Sequence, residues 1–185
     1  MAAGVHIRSA EPDDAEAISA IGQAAMPAQY RGLVDPAAVR AAVAQTYSVE
    51  AIVDCVKRCR SAELAEFLVA ERDGDVEGYL HFDSFGPEPE LHRLYVSSDA
   101  RSGGVGGLLM KELQDRLPAS VRYMLLVLEG NDRAVAFYQK HGLYIAEYVD
   151  GLAYYSQRMA VNFSASTQPF RLVLMRQGRA PNGRH

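Results

Sequence analysis

The spacing of apolar residues changes period several times along the chain, and each change marks an element. VHIRSA (5–10) alternates as a short strand; EPDDAEAISAIGQAA (11–25) then sets Pro12 and acidic residues at a helix start, with Ile18 and Ile21 on one face. Pro27, Gly32 and Pro36 punctuate the next stretch, so 27–60 reads as one or two helices separated by loops, Val49 to Arg60 among them. In EFLVAERDGDVEGYLHF (66–82) two β-rich runs flank Asp73-Gly74, a pair that tolerates the positive φ of a tight turn, and this predicts a hairpin. LHRLYV (91–96) is a strand in which Leu91, Leu94 and Val96 break strict alternation, as a bulge would permit.

Further on, Leu109, Leu113 and Leu117 recur every four residues while Lys111, Glu112, Asp115 and Arg116 take the other face, which predicts an amphipathic helix ending before Pro118. YMLLVL (123–128) is continuously apolar, as befits a strand covered on both sides at the centre of an α/β sheet. Asn131 suits the cap of the next helix, with Ala134, Phe137, Tyr138 and His141 at helical spacing and Gly142 at its left-handed exit. LYIAEYVDGLAYYSQRMA (143–160) reads as a second hairpin around Asp150-Gly151, and FRLVLMR (170–176) as one more strand, at a sheet edge or between subunits of a homodimer.

Size and charge narrow the function classes. At 185 residues and 49% hydrophobic content, one domain with one substantial core is expected. A formal net charge of −4 without lysine-rich blocks argues against a protein whose task is gripping nucleic acid. Residues 161–185 carry four arginines and no acidic residue, a charge of +4 against −8 for the rest. The chain therefore divides into a domain over 1–160 and an extension over 161–185, with an extra strand and a basic tail able to dock on the acidic body. The N-terminal stretch lacks the pattern of a signal peptide and no window offers a membrane span, so no membrane partner and a cytoplasmic location are expected. Cys55 and Cys59 lie four apart without CxxC spacing or a nearby histidine cluster, and read as ordinary reduced thiols; no metal is expected.

The chemistry concentrates in DARSGGVGGLLMKEL (99–113), where four of the fifteen glycines fall within five positions ahead of the amphipathic helix. A strand, a glycine-rich turn and a helix start place unpaired N–H groups and a positive dipole end together, as a phosphate or pyrophosphate requires. Glycine allows close approach, and Arg101 adds charge. A Walker A loop fails for want of its lysine and hydroxyl. A dinucleotide fingerprint lacks its third glycine, Leu109 standing there, although Glu129 mimics the acidic ribose partner.

Arg101-Ser102-Gly103-Gly104-Val105-Gly106 matches R/Q-x-x-G-x-G/A and resembles the coenzyme A pyrophosphate loop of the GNAT (Gcn5-related N-acetyltransferase) family. LHRLYV resembles that family's fourth strand, YMLLVLEGNDRAVAFYQKHGL its fifth strand and following helix, and EFLVAERDGDVEGYLHF its second and third strands. The resemblance spans roughly 5–159. It implies an α/β (α+β) fold with a mixed, mostly antiparallel seven-stranded sheet flanked by helices, strands four and five splayed around acetyl-CoA. It also implies transfer of the acetyl group to a primary amine, of a small molecule or a peptide, by direct attack in a ternary complex.

On the same resemblance, Tyr95 and Val96 offer backbone groups to the pantetheine, and Arg101, Gly103, Gly104, Val105, Gly106 and Gly107 hold the pyrophosphate. Asn131 contacts the pantetheine or caps its helix, and Arg133 reaches the adenosine phosphates or is merely solvated. Tyr138 matches the tyrosine that protonates the thiolate, within N-x-x-A-x-x-x-Y, against a bland reading as a packing residue. Glu90 occupies the position of a general base at the start of strand four, with Glu129 as competitor and His92 as a relay. Tyr30 and Arg31, in MPAQYRGLVDP, are candidates on the acceptor side. Two rivals stand beside this reading: a noncatalytic acyl-CoA-binding module and a dinucleotide-binding enzyme.

Overall fold

The computed structural model describes residues 4–31, 36–100, 103–154 and 169–178. Seven strands form one sheet: β1 (His6–Ser9), β2 (Ala65–Arg72), β3 (Asp75–Asp83), β4 (Glu90–Val96), β5 (Met124–Leu128), β6 (Leu143–Asp150) and β7 (Arg171–Gln177). Their order is β1-β2-β3-β4-β5-β7-β6, and β4 with β5 is the parallel pair. The helices are α1 (Ala15–Gln29), α2 (Pro36–Thr46), α3 (Val49–Arg60), α4 (Val105–Arg116) and α5 (Asp132–Lys140). This is the mixed, mostly antiparallel architecture that the family resemblance implies.

The strands alternate their side chains between two cores. Phe67, Val69 and Tyr79 pack against Ile18, Ile52 and Val56 of α1 and α3, while Leu68, Leu80 and Phe82 meet Leu109, Met110 and Leu113 of α4. Burying these side chains stabilises the fold by about 1.5–3 kcal/mol each, so the period-two pattern fixes which face each helix covers. The β2–β3 hairpin turns on Asp73 (φ 52) and Gly74 (φ 90), both left-handed as the primed turn demands. Helix α1 runs two residues past Pro27, whose missing N–H falls in the last turn.

Two expectations need correction. FRLVLMR is not an edge strand or an element between subunits: β7 lies inside the sheet, paired with β5 through Met124↔Arg176 to Leu128↔Leu172 and with β6 through Leu143↔Gln177 to Asp150↔Arg171. A domain boundary after residue 160 would therefore remove an interior strand whose Leu172, Val173, Leu174 and Met175 are buried. Nor does Asp150-Gly151 make a hairpin turn. The Asp150 carboxylate accepts from the Ala153 amide at 2.8 Å, turning the chain helically, and β6 finds its antiparallel partner in β7. Gly151 is needed for closeness, since an added Cβ would run into the Phe170 ring. Residues 155–168, including the expected return strand, lie outside the described residues.

Candidate active site

Strands β4 and β5 register at a single pair, Glu90↔Met124, at their N-terminal ends. Beyond it the two strands lead separately into helix starts, β4 into α4 and β5 into α5. The result is a V whose open end holds two helix N-termini, each a source of unpaired amides and partial positive charge.

Gly104, in the left-handed region at φ 73, caps α4, and the first helical bond runs from the Leu108 amide to the Gly104 carbonyl at 3.1 Å. The amides of Val105, Gly106 and Gly107 thus precede the first intrahelical donor, the Leu108 amide. Gly103 turns inward instead, donating to the Ala100 carbonyl at 3.0 Å. Gly106 allows the helix to close on its neighbours, for its Cβ would sit 3.4 Å from Phe137 of α5 and 3.5 Å from Leu94 of β4. Arg101 and Ser102 lie outside the described residues.

On α5, the Asn131 side chain accepts from the Ala134 amide at 3.2 Å, so its oxygen serves as the helix cap and only its NH₂ remains to face a ligand. Two turns beyond this cap, Tyr138 is half-buried, edge-on to Phe137 with centroids 5.2 Å apart. Burial pushes its phenol above the ordinary value of 10.0, which keeps the proton on the oxygen.

The other flank of β4 is polar for a reason written in its register. His81 pairs with Arg93 and Phe82 with Leu91, so His92 is an extra residue, and the bulge puts His92 and Arg93 together on the face covered by α1 and α3. There the buried Asp83 carboxylate lies 3.1 Å from His81 Nε2 and 3.0 Å from His92 Nε2, while His92 Nδ1 is 3.6 Å from Glu90 Oε1. Burial alone would raise Asp83, but hydrogen bonds from both imidazoles and the Phe85 amide outweigh it and hold the carboxyl far below its usual range. Glu90, its side chain 12% exposed, is thus tied through His92 to a buried anion. Glu129, by contrast, sits in a half-exposed ion pair with Arg171 at 3.5 Å and acts as a strand-end partner.

Tyr95 projects onto the same face, with Tyr47 and Tyr79 edge-on to it at 6.3 Å and 5.7 Å. Burial, then the Tyr47 hydroxyl 3.4 Å away, raises its phenol well above the ordinary range. Arg93 lies over the Tyr47 ring at 4.9 Å. Tyr30 packs against Phe170 with centroids 5.9 Å apart, whereas Arg31 is exposed beside the undescribed 32–35.

One grouping escapes the linear pattern. Cys55 and Cys59 share a face of α3, and His81 Nε2 and Nδ1 lie 3.4 Å and 3.9 Å from Cys55 Sγ. The Cys59 thiol, then His81 and Arg93, pull Cys55 down against burial, and the same contact with burial holds Cys59 up. Burial would lower His81, but its bonds to Asp83 and Cys55 prevail and raise it. The i, i+4 spacing of the cysteines was the available signal; nothing in it points to a histidine on a strand twenty-two residues later.

Comparison with known proteins agrees with this geometry. Residues 37–143 match the model of the acetyltransferase (GNAT) family. A protein named IAA acetyltransferase from Azospirillum brasilense is 35% identical over 80 residues, which is 41% of this chain and 52% of that protein; the chain thus matches about half the length of this relative. The crystal structure of PaiA N-acetyltransferase from Thermoplasma acidophilum in complex with coenzyme A aligns with TM-score 0.71 at 18% identity, over 96% of this chain and 100% of that one. The putative acetyltransferase YncA from Salmonella typhimurium, with acetyl-CoA, aligns with TM-score 0.71 at 16% identity, over 98% and 100%.

Proposed function

The chain belongs to the acetyltransferase (GNAT) family, and from that premise we propose that it transfers an acetyl group from acetyl-CoA to a primary amine by direct attack in a ternary complex. The observation that carries the reading is the single β4–β5 register pair at Glu90↔Met124 with two helix N-termini at the open end. It fits an extended ligand with a diphosphate at one end. A peptide-like arm adds to the β4 backbone near Tyr95 and Val96, and anionic oxygens take the amides of Val105, Gly106 and Gly107, with Arg101 as a neighbouring charge.

When bound, acetyl-CoA supplies the activated acyl group. The residues of this chain do the rest. Tyr138 keeps a proton on its phenol oxygen at neutral pH and delivers it to the departing sulfur. Glu90, oriented by His92, receives the proton of the attacking amine, directly or through water. The β4 backbone and the Asn131 NH₂ hold the donor in line, and positioning supplies the larger share of the rate. Tyr30 and Arg31 line the acceptor side. Family membership argues against the dinucleotide alternative; a protonated phenol in Tyr138 and a carboxylate in Glu90, a donor and an acceptor of protons, argue against a binding module without turnover.

A thermal-shift comparison with acetyl-CoA and NAD, followed by an amine panel with thiol release as readout, tests the proposal. Stabilisation by acetyl-CoA alone and release that depends on amine are expected. Absence of any acetyl-CoA shift would overturn it, and binding without release across the panel would favour the noncatalytic module.

A further inference from the structure

We propose that Cys55, Cys59 and His81 form a binding site for one thiophilic divalent metal ion of the zinc type, with Asp83 as the carboxylate that orients the imidazole. The Cys55 and Cys59 Sγ atoms and a His81 ring nitrogen all lie within 4.8 Å of one another, and all three residues are buried. Two sulfurs and one nitrogen are the donors zinc and cobalt take and calcium and magnesium refuse.

The distances suit a tetrahedral centre. Zinc bonds of about 2.3 Å to sulfur and 2.0 Å to nitrogen set neighbouring donors about 3.6 Å apart. Cys55 Sγ is 3.4 Å from His81 Nε2 and 3.9 Å from Nδ1; Nε2 also faces Asp83, which leaves Nδ1 for the metal after a small closure. With the metal on Nδ1, the Nε2–H donates to Asp83 Oδ2 at 3.1 Å, the carboxylate–histidine–metal arrangement that fixes tautomer and ring plane. Three protein donors leave a fourth position for water.

The charges close as well. On binding, two S–H bonds give way to two S–metal bonds and both protons leave to water. Two thiolates and the Asp83 carboxylate then face the metal and the Arg93 guanidinium, whose Nη1 is buried without a hydrogen-bond partner. Arg58, whose Nη2 lies 3.9 Å from Cys55 Sγ, adds one more positive charge at the exposed side, so no negative charge of the cluster is left uncompensated. Cys59 also lines an open cleft of about 380 Å³ together with Arg60, Ala62, Ala65, Glu66 and Arg116. The ion would clamp α3 to β3 and, through Asp83, fix His92. None of this depends on the acetyl-CoA reading.

The test uses the full chain, reduced and metal-depleted, titrated with Co(II). An equimolar complex with a thiolate-to-cobalt charge-transfer band in the near ultraviolet, displaced by Zn(II), is expected. Cys55→Ser/Cys59→Ser should lose the band, and Asp83→Asn should weaken binding about 10–100-fold. Folding of each variant is checked by far-ultraviolet circular dichroism; if the double variant fails to fold, Cys59→Ala, which removes one donor, replaces it. No charge-transfer band in the folded wild-type protein, or a band undiminished in a folded cysteine variant, would overturn the proposal.

Discussion

Glu90 and Met124 form the one register pair between β4 and β5, and the opening of the sheet begins there. Both strands continue past this pair to helix starts, so the hinge of the V and the proposed anion-binding rim follow from one interruption of strand pairing.

Gly104 sets the pitch of that rim. An added Cβ there meets nothing within 4 Å, so Gly104→Ala tests conformation without crowding. Holding an L-residue near φ 73 costs about 1–2 kcal/mol, and relief requires the start of α4 to rotate. Equilibrium unfolding should show that loss, and the KM for acetyl-CoA should rise several-fold with kcat nearly constant. An unchanged KM would remove the amide cradle from the binding site.

Tyr138→Phe keeps the ring that packs on Phe137 and removes only the proton donor. A fall in kcat of about 10²-fold or more is expected, with coenzyme A affinity and melting temperature held. Because burial raises this phenol above 10.0, the wild-type rate should show no descending alkaline limb from Tyr138 below that pH. Equal turnover in the variant would relegate Tyr138 to packing.

Glu90→Gln preserves volume and the contact with His92 while removing the proton acceptor. Steady-state kinetics should show kcat for the amine lowered by about 10²-fold, with the coenzyme A affinity unaffected. If Glu129→Gln lowers turnover and Glu90→Gln does not, the base lies at the end of β5 instead.

Local chemistry was legible in the sequence and long-range pairing was not. Asp73-Gly74 announces a hairpin because both φ values are decided within two residues. Leu91, Leu94 and Val96 reveal that β4 breaks alternation, but only the register with β3 shows that His92 and Arg93 share a face and so meet His81 and Asp83. The same limit hid the place of β7. Its partner β5 precedes it by more than forty residues and β6 by a segment of twenty, and no local period encodes which strand it enters between. Asp150-Gly151 misled because glycine there answers to Phe170, a tertiary neighbour, rather than to a turn.

Stability should depend on acid through Asp14. Its carboxylate takes two hydrogen bonds from Arg8 at 2.7 Å, and Arg8 also holds Glu71. Burial would raise Asp14, but these bonds and the Glu11 amide at 2.7 Å outweigh it and depress the carboxyl below 3.8. A depressed folded pKa stabilises above the unfolded value and is lost as pH falls through the folded one. Because Arg8 is 30% exposed, solvent screening leaves about 1–2 kcal/mol. Asp14→Asn should cost that amount in urea unfolding at pH 7, and its deficit should shrink below pH 3.8. A deficit independent of pH would show that the ion pair is not its source.

Gly22 sets two effects of opposite sign against each other. By helix propensity alone, Gly22→Ala inside α1 should stabilise by about 1 kcal/mol. The new Cβ, however, would stand 2.6 Å from Tyr47 Cε1 and 2.8 Å from the Tyr79 hydroxyl. Neither ring can yield cheaply: Tyr79 is fully buried and Tyr47 nearly so, held between Arg93 and Tyr95. Overpacking of this kind costs about 1–3 kcal/mol, so the crowding should win and the variant should melt lower than wild type. Since the displaced rings flank Tyr95, whose backbone is proposed to hold the pantetheine arm, the KM for acetyl-CoA should rise as well. A variant as stable as wild type would mean that α1 slides away from β4 without resistance.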